Sequence, residues 1–258
     1  MKKSGWLYLA FGAVLYFVFL VTELPASWFS WGLNRYTHDS VRLDPLSGSL
    51  WHGQGRLVVN YPSSIPNDFG LTEWRINPLW LLTGQIRTTL NTESSAGKSS
   101  GTLVVSRSGF TLKDTDAVFP VTLISQLYPA AGMIGPTGKI RLRTVDLVLN
   151  PQALRGNATL EWLDAGSTLS TVRPLGDYQI DIAGMGKTAN LKLTTPHGAL
   201  ALAGQGQWQL ATGQLQFNGT ATPREQAAEM KPFLEWLGAD QGDGRRALSL
   251  NITLAATH

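Results

Sequence analysis

The chain opens on an apolar run and then settles into two-residue alternation. From Ser4 to Thr22 no residue is charged, WLYLAFGAVLYFVFLV lies at the centre of the run, and Glu23 is the first charge after Lys2 and Lys3. A helix rises about 1.5 Å per residue, so this stretch is just long enough to cross a hydrocarbon layer of about 30 Å. The pattern predicts a membrane anchor made by Trp6, Leu7, Tyr8, Phe11, Val14, Leu15, Phe17, Val18, Phe19, Leu20 and Val21. Lysines before it and an acid after it favour an amino terminus on the inner side. A cleaved signal peptide would have a shorter apolar core, about 7–15 residues, and a small-residue cleavage site. Here Glu23-Leu24-Pro25-Ala26-Ser27-Trp28 puts proline and bulky neighbours at that place. Trp28 and Trp31 follow as an outer aromatic belt. The expected organisation is a tail at 1–5, an anchor at 6–22 and an exported domain at 23–258, with two similar lobes meeting near 130–138 as a variant of it.

Past the anchor, apolar and polar residues alternate as in half-buried strands. Leu248, Leu250, Ile252 and Leu254 alternate with Ser249, Asn251 and Thr253. Tyr178-Ile180-Ile182, Leu191-Leu193, Leu200-Leu202, Trp208-Leu210 and Leu215-Phe217 behave likewise, with Gly184, Gly186, Pro196, Gly198, Gly204, Gly206 and Gly213 between them. Turn residues this closely spaced predict hairpins, because parallel crossovers need a dozen or more residues. In Lys139–Asn150 the apolar phase moves from Ile140 and Leu142 to Val145, Leu147 and Leu149, which predicts a bulge near Thr144. The fold expected is mainly β: a twisted, curved antiparallel sheet or sandwich-like domain behind one transmembrane helix, with one or two short helices.

Two segments read as helical. Pro78-Leu79-Trp80-Leu81-Leu82 is a short apolar turn ended by Gly84. Thr222-Pro223-Arg224-Glu225 has the signature of a capped helix start, and Ala227, Met230, Leu234 and Leu237 follow at helical spacing, with a kink or break at Pro232 and an end at Gly238. The polar stretch Asn91–Ser100 reads as an exposed hairpin loop. A weak echo relates the segment from Ser47 to Gly55 to that from His197 to Trp208.

Composition narrows the function. The net charge is +3, and of 21 basic residues Lys2 and Lys3 precede the run, which leaves 19 against 18 acidic residues. No cluster of Lys and Arg forms a stripe, so nucleic acid is not an expected partner. Cysteine is absent, which removes disulfides, thiolate metal sites and cysteine catalysis.

Strings that suggest catalysis fail on spacing. Gly184-Met185-Gly186-Lys187-Thr188 ends like a phosphate loop, yet Asp181 stands where the Walker pattern needs its first glycine, and a strand follows. Ser95-Ala96-Gly97-Lys98 has Ser-x-x-Lys spacing but lacks the companion motifs. His38, His52, His197 and His258 are scattered without metal-ligand spacing, and His52 reads as a polar strand residue. Asp114 and Asp116 beside Lys113 read as a solvated strand end, and the Asn-x-Thr strings at Asn157, Asn218 and Asn251 as chance features of Thr-rich strands. No catalytic residue, metal site or cofactor is expected.

The Trp and Gly landmarks carry a resemblance. The segment from Leu46 to Gly53, with Gly48, Leu50, Trp51 and Gly53, resembles the Gly-(Thr/Ser)-(Leu/Val)-Trp-x-Gly segment of the type II secretion system protein N family. Trp74, Pro78, Leu79 and Gly84 are similar to that family's W-x-hydrophobic-x-P-L-x-L-L-x-G segment, and Phe217 to Leu254 to its closing part. The resemblance implies a single-pass protein of the bacterial inner membrane with its carboxy-terminal domain in the periplasm. It implies a non-enzymatic accessory of type II secretion that docks on other machine components, the outer-membrane secretin among the candidates. The alternative is an envelope carrier of lipid or another apolar ligand, held in a groove of the curved sheet.

Overall fold

The computed structural model describes residues 3–37, 41–59, 67–127, 132–242 and 244–253. His38, Leu254 and His258 lie outside them. The chain divides into two compact units, Met1–Ser94 and Ser95–His258.

The first unit begins with α1 (Lys3–Thr22) and α2 (Ser27–Tyr36). β1 (Val41–Gly48), β2 (His52–Val59), β3 (Asn67–Ile76) and β4 (Ile86–Ser94) then form an antiparallel meander, each strand paired with the next. A 3₁₀ turn, Pro78–Thr83, joins β3 to β4. The side chains of Trp6, Leu7, Val14, Phe17 and Val18 are not among those described; among the described residues no helix is long and apolar enough to cross a membrane. α2 was not legible as a helix in the sequence. Its Phe29 and Leu33 pack with Ala26 against Leu43, Trp74 and Ile76, while Trp28, Trp31 and Tyr36 face outward.

The second unit is a longer meander: β5 (Gly97–Ser106), β6 (Gly109–Pro120), β7 (Pro136–Asn150), β8 (Ala153–Ser167), β9 (Gly176–Gly186), β10 (Thr188–His197), β11 (Leu200–Gln209), β12 (Gln214–Pro223) and β13 (Arg246–Thr253). Each pairs antiparallel with its sequence neighbour. Short helices α3 (Thr122–Leu127) and α4 (Lys231–Leu237) sit in its connections. Strand alternation gives the sheet two unlike faces. The register aligns Ala158, Ile182, Leu191, Gly206, Phe217 and Leu250 on one face and Asn157, Ala183, Asn190, Gln207, Gln216 and Asn251 on the other.

The apolar face is covered at one end by chain rather than by a second sheet. Met230, Phe233 and Leu234 join Val172 and Leu175 over Ala165, Tyr178, Leu200 and Ala221. Among the described residues the strands of each unit lie in one layer, so the sandwich-like variant has no counterpart. Consecutive hairpins extend a single sheet, and α4 with the 168–175 segment supplies the cover.

Four local readings change. The capped helix at Thr222 does not form: Thr222 and Pro223 end β12, and the N–H groups of Arg224 and Glu225 donate to the Ala199 carbonyl. Gln226 then takes a left-handed conformation, φ 51°, and α4 starts only at Lys231, so Pro232 opens a helix instead of kinking one. Gly204 and Gly206 lie inside β11, where a side chain at either would run into the Phe217 ring, so packing rather than a turn requires them. Asn91–Ser94 and Gly97–Ser100 are strand, leaving only Ser95 and Ala96 as the turn. The bulge forms as expected, since Thr144 pairs with Ala158 and Leu147 with Gly156. Val145 is nevertheless 77% exposed and is displaced from the apolar stripe.

Candidate functional site

The motif residues of the first unit build one joint. Gly48 ends β1 at φ 92°, packed against the His52 carbonyl, where a β-carbon has no room. The turn it opens places Leu50 and Trp51 between helix and sheet. The Leu50 N–H donates to the Leu24 carbonyl at 2.7 Å, and the Trp51 indole N–H to the Val21 carbonyl at 2.7 Å. The latter satisfies one of the carbonyls that the last turn of a helix leaves without an internal partner. Trp74 is fully buried, stacks on Phe29 with ring centroids 4.7 Å apart, and donates its indole N–H to the Leu50 carbonyl at 3.0 Å. Gly53 lies beneath the Trp74 ring, which explains a glycine there.

The second motif continues from this joint. The Ile76 N–H donates to the Trp51 carbonyl at 2.7 Å, and the chain enters the 3₁₀ turn after Asn77. The Asn77 side chain accepts from the Leu79 N–H at 3.0 Å as its cap, and Pro78 occupies the first turn, where its missing N–H costs nothing. Gly84 closes the turn at φ 72° and donates to the Leu81 carbonyl at 3.0 Å. Leu79, Leu81 and Leu82 are exposed, and the Arg87 guanidinium lies 5.4 Å from the centre of the Trp80 ring. The residues resembling the family motifs thus form a structural joint and an exposed apolar turn, with no reactive pair among them.

The polar face of the second unit holds an open groove of about 400 Å³ lined by Asp114, Asp116, Arg143, Val145, Asn157 and Thr159 among others, beside the bulge. Asp116 lies inside β6 rather than at a strand end, and Arg141 grips it with two hydrogen bonds, at 2.7 and 2.5 Å. That bonding holds the Asp116 carboxyl below its usual range, against a smaller opposing effect of burial. Arg143 is paired with Glu161. The groove is open, the Arg143 cation that lines it is held by a carboxylate, and the Thr159 hydroxyl donates to the Asp181 carboxylate at 3.2 Å. Among the described residues no three His, Asp or Glu side chains gather as metal ligands. His52 is an exposed strand residue opposite Arg75, and Gly186-Lys187 is a hairpin turn, in which Leu210 donates to the Lys187 carbonyl.

The outer edge of β13 was not singled out by the sequence. Ala239–Gln241 runs back along its first residues, with Ala247 N–H to Ala239 carbonyl at 3.1 Å and Gln241 N–H to Arg245 carbonyl at 2.9 Å. Since Ala247 points outward and the ladder alternates, Ser249, Asn251 and Thr253 also turn their backbone groups away from β12. Among the described residues no strand pairs with them on that side.

No curated protein and no solved structure matches the chain. A family model, that of protein N of the type II secretion system, matches residues 39–249, and the chain therefore belongs to that family and to type II protein secretion.

Proposed function

We propose that the protein is a non-enzymatic accessory of the type II secretion machine, tethered to the inner membrane by α1, with residues 23–258 in the periplasm, where β13 docks another machine component by strand addition. The observation that carries the docking is the row of outward backbone groups at Ser249, Asn251 and Thr253, which no strand pairs among the described residues. A partner strand would gain main-chain hydrogen bonds there, and the polar residues Ser249, Asn251 and Thr253 disfavour nonspecific edge-to-edge pairing. For the tether, α1 supplies 20 residues, about 30 Å of helix. Tethering keeps the edge at high effective concentration near other membrane components, so a modest contact suffices. The outer-membrane secretin is one candidate for the partner.

The test is Asn251→Pro. Proline at an outward position removes the docking donor and leaves the β12 ladder whole. In a secreting strain the variant is expected to keep its β-sheet circular dichroism, lose crosslinked machine components from membrane pull-downs, and reduce exoprotein export. Normal export in a deletion strain, or unchanged crosslinks and normal export in this variant, would rule the proposal out.

A second reading rests on the apolar face. Phe110, Leu149 and Leu250 are exposed on the face that α4 covers only at its other end, and such a surface suits a lipid or other apolar ligand. Native mass spectrometry of the extracted full chain separates the two readings, because a carrier retains lipid-sized mass.

A further inference from the structure

The 3₁₀ turn that joins β3 to β4 exposes more apolar surface than a periplasmic loop needs. Leu79 is 69% and Leu82 86% exposed, and Leu81 and Trp80 are open beside them. The turn is held rigidly: besides its Asn77 cap and Gly84 stop, the Thr83 hydroxyl donates to the Trp80 carbonyl at 2.7 Å and the Gln85 N–H to the same carbonyl at 3.1 Å. A frame this well bonded presents the leucines outward in a fixed arrangement.

Its place in the fold indicates what it meets. In an antiparallel meander the β1–β2 and β3–β4 connections lie at the same end. That end is where α1 joins, through Trp51, whose indole bonds to Val21 and whose carbonyl receives Ile76 just ahead of the turn. α2 leaves the same junction and turns Trp28 and Trp31 away from the core, amphipathic aromatics of the kind favoured at headgroup depth. Arg87 over Trp80 adds a cation beside the apolar tip, suited to lipid phosphates.

We propose that Leu79, Leu81 and Leu82 form a wedge that dips into the headgroup–acyl boundary beside the point where α1 leaves the bilayer, and so fixes the orientation of the Met1–Ser94 unit on the membrane. A single helix leaves its cargo free to swing; a second contact beside it restrains the tilt. The proposal rests on the reading of α1 as a membrane anchor and adds a contact to it. The occupant is the lipid surface.

The native chain contains no cysteine, so single labels are simple to place. Leu82→Cys, Phe11→Cys and Asn91→Cys would each carry an environment-sensitive fluorophore in the full chain, reconstituted in phosphatidylethanolamine–phosphatidylglycerol vesicles with spin-labelled lipids as quenchers. Asn91 is exposed in β4, five residues beyond Ile86 and so about 17 Å along the strand, outside the roughly 5–10 Å that an interfacial segment enters. Strong quenching at 11 and 82 with little at 91 is expected. Quenching at 11 without 82 overturns the wedge and leaves the anchor. Equal quenching at 82 and 91 also overturns the wedge. Absence of quenching at 11 removes the anchor, and the wedge with it.

Discussion

Trp51 donates its indole N–H to the backbone carbonyl of Val21 at 2.7 Å, so a residue of the first β-turn closes the last turn of a helix thirty positions earlier. The contact converts a sequence landmark into a mechanical link between helix and sheet. Trp51→Phe keeps most of the ring and removes the donor. It is expected to destabilise the first unit by about 1 kcal/mol, the usual net value of one hydrogen bond. Limited proteolysis between Thr22 and Ala26 should accelerate in the variant, and unchanged cleavage would show that the link does not hold the helix.

Gly53 and Trp74 form a second such pair. A β-carbon on Gly53 meets the Trp74 ring on one side and the Ser47 carbonyl on the other. Gly53→Ala should therefore cost about 1–3 kcal/mol by overpacking. Trp74→Leu alone should be costly because it empties the core. Combined with Gly53→Ala, the loss should fall short of the sum, because the leucine no longer occupies the space that the added methyl needs. Denaturant midpoints of the two single variants and the double variant test this, and strict additivity would mean that the methyl finds room elsewhere.

The legibility of the sequence followed the range of the forces involved. Alternation is local, so β9, β10, β12 and β13 and the bulge near Thr144 could be read directly, as could the 3₁₀ turn between Asn77 and Gly84. Gly204 and Gly206 misled because their cause, the Phe217 ring, comes from the neighbouring strand. The Thr222 capping signature lost to the hydrogen bonds that Arg224 and Glu225 make to Ala199, a tertiary contact. α2 was hidden because its apolar positions Phe29 and Leu33 make only one short stripe, and its tryptophans read equally well as a membrane belt. The resemblance located the joint residues, but that Trp51 and Trp74 act through indole hydrogen bonds became visible only in three dimensions. The edge of β13 that no described strand pairs left no local mark, since a strand has the same pattern whether or not it has a neighbour.

Acid should test the Asp116–Arg141 pair. A carboxyl ionises near 3.9 in the unfolded chain and lower in the folded one, where Arg141 bonds the charged form. Below about pH 5 the unfolded chain therefore binds more protons, and the pair's contribution declines until pH passes below the folded value. Both side chains are more than a third exposed, so the contribution is small, about 0.2–1 kcal/mol. Asp116→Asn is expected to lower stability by that amount at neutral pH and to flatten the dependence between about pH 5 and 3. Parallel curves for the two proteins would place the carboxyl's influence elsewhere.

Alkali should test the opposite case at Tyr178. Its ring is buried under the covered end of the apolar face, and its hydroxyl donates to the Leu200 carbonyl at 3.1 Å. Burial raises its ionisation well above the usual phenol range, and the neighbouring Asp177 charge adds to the shift. In the unfolded chain the phenol ionises near pH 10, whereas the folded chain keeps it neutral. Stability from this group is therefore complete below about pH 10 and declines above it, because only the unfolded chain releases the proton. Tyr178→Phe removes the titrating group together with one hydrogen bond. The variant should be less stable at neutral pH by about 1 kcal/mol, since the Leu200 carbonyl loses its donor. Its stability should then fall less steeply than that of the native chain as pH rises past 10, so the gap between the two narrows. Denaturant titrations from pH 8 to 11.5 would read the crossover directly, and a constant gap over that range would show that the phenol ionises as readily in the folded chain as in the unfolded one.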